Sequence, residues 1–85
     1  MENPIIGPAS IILIVLLRYG EMIMSDIIVI AHLSRQAVFN NVRDLLEIGL
    51  VAEKREEGFP PRCLISFTDK GRKVAEKLEE IEKIL

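Results

Sequence analysis

The sequence predicts a mostly α-helical fold carrying one small β-hairpin, an α+β arrangement, and three observations lead there. Apolar residues recur at helical spacing in four separate segments. Ser25, Ser34 and Thr68 stand where helices can begin, and Gly20 and Gly49 stand where helices can end. Between Leu50 and Phe67 the helical period gives way to strand-like runs on either side of the breaker-rich turn Glu57-Gly58-Phe59-Pro60-Pro61.

The first helix starts at Gly7-Pro8, because proline at the first helical position gives up no intrahelical bond. Its apolar run continues to Leu17 and Gly20 stops it; a helix this apolar on all sides needs cover on all sides. Ser25 is the expected cap of a second helix, Asp26 suits the positive end of its dipole, and Ile27, Ile28 and Ala31 form its inner face. Ser34 repeats the start signal for a third helix, Arg35 to Ile48, with Val38, Val42, Leu45 and Leu46 inward and Gly49 behind it. Two helices joined by a turn of about three residues form a helix-turn-helix unit. Leu50 to Glu56 and Arg62 to Phe67 are the two strands of the hairpin, the second with Cys63, Ile65 and Phe67 on one face. Thr68 caps a last helix running to Leu85, about 25 Å long at 1.5 Å per residue, with a stripe of Val74, Leu78, Ile81 and Leu85 opposite a charged face.

Composition bounds the function. The 85 residues are 49% hydrophobic and the mean hydropathy is +0.29. That is much apolar surface for a body with so little interior, so part of it is expected to face a second subunit. The apolar run Ile11 to Leu17 falls far short of the ~20 residues a spanning helix needs. Glu2 stands where a leader would be basic, so no secretion signal is expected and a cytoplasmic address is the default. One cysteine, Cys63, and one histidine, His32, far apart in sequence, leave neither a disulfide nor a metal cluster to expect, and no cofactor. A lone histidine in a turn, with no carboxylate pair or phosphate loop, points away from an enzyme.

The segment Met24-Ser25-Asp26-Ile27-Ile28-Val29-Ile30-Ala31-His32-Leu33-Ser34-Arg35-Gln36-Ala37-Val38, with Leu45-Leu46-Glu47-Ile48-Gly49-Leu50-Val51 after it, resembles the winged helix-turn-helix regulators of bacteria and archaea. Phe67-Thr68-Asp69-Lys70-Gly71-Arg72 resembles the junction behind the wing in the MarR-like and PadR-like branches of that superfamily. The resemblance covers roughly residues 9 to 85. It implies a winged helix-turn-helix with a C-terminal dimerisation helix, in a single domain over 1-85: helix-turn-helix about 25-48, wing about 50-67, last helix about 69-85. It further implies a homodimeric transcriptional regulator reading double-stranded DNA. His32 falls where these regulators usually have glycine, and histidine tolerates a left-handed backbone.

The third helix suits that role on chemical grounds. A major groove admits one helix whose inner face is held by a scaffold and whose outer face stays polar. Ser34, Arg35, Gln36, Asn40 and Arg43 offer a hydroxyl, cations and amides suited to phosphates, guanine and adenine, although the same pattern also describes an ordinary solvated face. Phe39 departs from the small or polar residue usual there. Contact with a thymine methyl, contact with a protein partner and folding back onto the core all stay open for it. In the wing, Lys54, Arg55 and Arg62 are expected beside flanking phosphates, with Glu53, Glu56 and Glu57 opposing them.

From Ser34 to Lys73 there are eight cations and six anions, so this half is only mildly basic and the whole chain carries a net charge of -2. Useful affinity then requires two copies acting together on a palindromic operator, with half-sites about 34 Å apart. Ile11, Ile14, Val15, Val74, Leu78, Ile81 and Leu85 are the expected dimer interface. The alternative is a winged helix serving as a protein-interaction module in a transcription or replication assembly, which the acidic balance and Phe39 favour. MarR-like relatives bind small aromatic molecules between the dimer helices, and no residue here identifies such an effector pocket.

Overall fold

The computed structural model describes residues 7–85, so the expectation about a leader, which rests on Glu2, lies outside the described residues. Four helices and three strands follow in the order α1 (Pro8–Tyr19), β1 (Met22–Ile23), α2 (Met24–Ala31), α3 (Arg35–Glu47), β2 (Val51–Glu56), β3 (Arg62–Phe67) and α4 (Asp69–Ile84). The strands form one antiparallel sheet in the order β1-β3-β2. This is the winged helix-turn-helix architecture expected from the sequence, including the C-terminal helix.

α1 supplies five consecutive buried residues, Ile12 to Leu16, around which the other helices pack. Ile27 of α2, Val38, Val42 and Leu45 of α3, Val51 and Ile65 of the sheet and Ala75 of α4 complete one core. Ser34 caps α3 as expected, its hydroxyl accepting from the Ala37 amide at 3.1 Å. α3 ends in a Schellman motif: the amide of Gly49, at φ +78°, donates to the Leu46 carbonyl at 3.2 Å, and that of Leu50 to the Leu45 carbonyl at 2.9 Å. Thr68 caps α4 through the Gly71 amide at 3.0 Å while its own hydroxyl donates to the Gly49 carbonyl at 2.6 Å. One threonine thus ties the end of α3 to the start of α4.

Two sequence expectations need correction, and a third holds for the face of a strand but not for its burial. Met22 and Ile23 form a third strand, pairing with Ile65 and Leu64 of β3, which two residues of sequence do not announce. Because that pairing holds Ile23 extended, the chain turns directly into α2 at Met24; Ser25 lies inside the first turn, and Ile23 occupies the cap without a side-chain bond. Cys63 lies on the face of Ile65, as the alternation predicts, but does not share its burial. β3 is the central strand, so its covered residues are the adjacent Leu64 and Ile65, and Cys63 is exposed where the hairpin extends beyond the body.

Candidate nucleic-acid interface

α3 separates its two faces cleanly. Val38, Val42 and Leu45 are 0 to 3% exposed, and at spacings of four and three they fix the rotation of the helix. Arg35, Gln36, Phe39 and Arg43 therefore emerge on the other side, all exposed, with Asn40 half-buried between them. Gln36 donates its amide to the Asn40 side-chain carbonyl at 3.1 Å, one turn along. Arg35 and Arg43 have no ion-pair partner among the described residues. Two unpaired guanidinium groups on a helix with a braced inner face can bind phosphates or base edges without first breaking an internal bond.

The turn before α3 is held by His32, whose backbone is left-handed at φ 56°, ψ 39°. Its ring is exposed. The turn therefore uses His32 for its backbone.

The three wing cations are not brought together. Strand residues alternate between the faces of a sheet, so Arg55 lies on the face of Glu53 and Ile65, while Lys54 and Arg62 lie on the opposite one. Lys54 reaches Glu21 at 3.4 Å beside a hollow of about 350 Å³ near Arg72, and Arg62 reaches Glu56 at 3.7 Å. Arg55 alone of the three has no ion pair among the described residues. Only Arg55 shares the side of the sheet that faces α3.

On that side Phe39, Val42 and Leu46 of α3 face Met24 and Ile65 across a mainly apolar cleft of about 430 Å³. Arg43 and Glu53 also border it. Phe39 is 46% exposed, so it neither folds into the core nor stands free of the protein. Cys63 lines the same cleft with its thiol donating to the Glu53 carboxylate at 3.0 Å. That bond, more than desolvation, raises the thiol pKa above its ordinary value, and nearby Arg55 only partly opposes it. The wing tip carries a residue that the sequence reading left unassigned: Phe59 is fully exposed between Gly58 and two prolines.

At the far side, α1 and α4 pack together, and Arg18 joins them through ion pairs to Glu82 and to Glu79, the latter at 3.5 Å. Of the residues expected at a dimer interface, Ile14 and Val15 need correction: at 4% and 8% exposure they are already covered within one chain. Ile11, Val74 and Leu78 are half-buried against the core, whereas Ile81 and Leu85 remain exposed, with Ile84 beside them. The stripe spacing could not distinguish contact within the chain from contact between chains. Ile84 was missed because it falls off that stripe.

Proteins of curated function offer no match to the chain. Among solved structures, a MarR family protein from Bacillus stearothermophilus is 26% identical, with a TM-score of 0.77 over 95% of this chain and 56% of its own. A transcriptional regulator homologue from Pyrococcus horikoshii OT3 is also 26% identical, with a TM-score of 0.75 over 96% of this chain and 79% of its own. BpsR of Bordetella bronchiseptica, whose DNA binding is regulated by 6-hydroxynicotinic acid, shares the fold at 17% identity, with a TM-score of 0.81 over 91% of this chain and 58% of its own. The chain thus spans little more than half of the Bacillus and Bordetella proteins. The family model described as HxlR-like helix-turn-helix matches residues 8–85. By that match over nearly its whole length, this chain belongs to the HxlR-like helix-turn-helix family.

Proposed function

We propose that the chain is a transcription regulator that binds duplex DNA as a homodimer, with α3 in the major groove and the wing on flanking backbone. The observation that carries this reading is the pair of guanidiniums, Arg35 and Arg43, without ion pairs among the described residues, on the outer face of a helix whose inner face is fully buried. Arg35, Gln36, Asn40 and Arg43 are the base and phosphate contacts, with Ser34 and Phe39 flanking them. In the wing, Arg55 is poised to reach a phosphate, whereas Lys54 and Arg62 must first leave Glu21 and Glu56.

Selection from random duplexes of about 30 base pairs tests the reading, since that length holds two half-sites one helical turn apart. The expected product is a palindrome whose affinity falls steeply as salt rises from about 50 to 200 mM. Arg35→Ala with Arg43→Ala should abolish the selected binding while leaving the fold unchanged by circular dichroism. No enriched sequence, with binding weak even at low salt, removes the proposal. The second reading, a protein-interaction module, is favoured by the exposure of Phe39 and Phe59; under it Phe39→Ala is the damaging change and the arginine pair is silent.

A further inference from the structure

The chain carries an apolar knob and an apolar hole, neither of them filled. The knob is Phe59, fully exposed at the wing tip, where the following prolines restrict the backbone and lower the entropy lost on docking. The hole is the cleft of about 430 Å³ beneath Phe39, within the size range of pockets that enclose drug-sized groups and ample for one aromatic side chain. The wing cannot fill its own cleft, because the ladder pairs β2 with β3 out to Glu56 and Arg62 and carries the tip away from the body.

Charge favours the same match. At the tip Glu56 is engaged by Arg62, while Glu57, next to Gly58 and Phe59, has no ion pair among the described residues. At the cleft Glu53 is occupied by the Cys63 thiol, while Arg43 has no ion pair among the described residues. A phosphate surface would repel Glu57, so the DNA contact proposed for the wing falls to Arg55 on the strand and leaves the tip to another occupant.

We infer that a second copy of this chain seats Phe59 in the cleft beneath Phe39, with its Glu57 against Arg43, and that two copies do so reciprocally about a two-fold axis. Reciprocity doubles a small contact and closes it on two copies, whereas a one-way contact would continue into a ring or a filament. The contact uses a different surface from the exposed end of α4. It covers Arg43 and Phe39, so in this arrangement α3 is closed to DNA; that consequence rests on the function proposed above, and the contact itself does not.

The sole cysteine of the chain lies in the cleft and serves as a reporter. One chain keeps Cys63; a second, distinguishable by mass, carries Gly58→Cys with Cys63→Ser, position 58 having room for a side chain. Mixing the two under mild oxidant should give a mixed disulfide about tenfold more abundantly than a control bearing Lys77→Cys with Cys63→Ser. Adding Phe59→Ala to the tip chain should remove the excess. Arg43→Glu in the cleft chain should reduce it, and Glu57→Arg in the tip chain should restore it. A yield equal to the control, indifference to Phe59→Ala, or no rescue by the charge exchange would overturn the contact. Because the cross-link is formed without DNA, a chain that binds no duplex would still form it. Where a selected duplex does bind, it should suppress the cross-link, and persistence at saturating duplex would overturn the closure of α3.

Discussion

Gly71 has no room for even a methyl group. A Cβ built there would lie 1.7 Å from the Leu50 carbonyl oxygen, which belongs to the turn that ends α3. The obstacle is backbone, so relief requires α4 to move off the turn that Thr68 fastens to it. Gly71→Ala should destabilise the fold by at least about 2 kcal/mol, which lowers Tm by roughly 8–16 °C in a domain of this size. A calorimetric Tm within about 2 °C of the unsubstituted chain would refute the close approach. Cys63 supports a prediction of another kind. Its bond to Glu53 holds the thiol protonated, so at mildly alkaline pH it should react with iodoacetamide more slowly than a free thiol. Glu53→Gln should speed the reaction by lowering the thiol pKa, and the advantage should fade as rising pH ionises both forms. Caps of this scale were legible in sequence at Ser34 and Thr68, where hydroxyl and amide are local to one turn. Ser25 misled because the true start of α2 is fixed by pairing with a strand more than forty residues away.

At the scale of elements, alternation decides which wing cations can act together. The two-residue period puts Arg55 on the α3 side and Lys54 on the other, where Glu21 holds it. If DNA lies against α3, Arg55→Ala should lower affinity and reduce the salt slope by about one, while Lys54→Ala should change the slope by much less. Equal losses from the two substitutions, measured by fluorescence anisotropy across a salt series, would contradict this division. The polar face of α3 was legible because Val38, Val42 and Leu45 determine its rotation. The wing was less so: a list of cations carries no face until the ladder register is known. β1 was invisible for a related reason, since two residues have no period and acquire their strand character only from β3.

For the whole molecule, the proposed function raises the question of how a chain of net charge -2 with a mildly basic face would achieve useful affinity for a polyanion. Pairing two copies makes the second half-site contact intramolecular, so that modest contacts combine without any increase in charge. α1 and α4 cover much of one another within the chain, which removes Ile14 and Val15 from consideration and leaves the outer end of α4. There Ile81, Ile84 and Leu85 are exposed close together, the last two at 83% and 59%. Introducing charge at Ile81 and Ile84 should spare the fold, because neither belongs to the core cluster. If this end pairs two chains, then in a Phe59→Ala background, which removes the separate wing-tip contact, Ile81→Glu with Ile84→Glu should reduce the sedimenting mass from twice 9.6 kDa to 9.6 kDa and leave the helical circular dichroism intact. Affinity for a palindrome should then fall to that for a single half-site, because each chain keeps its own α3 and loses only the effective concentration supplied by its partner. A doubly substituted chain that still sediments as a dimer would place the pairing surface elsewhere. Retention of full palindrome affinity by a chain that sediments as a monomer would instead show that the two half-sites are read independently.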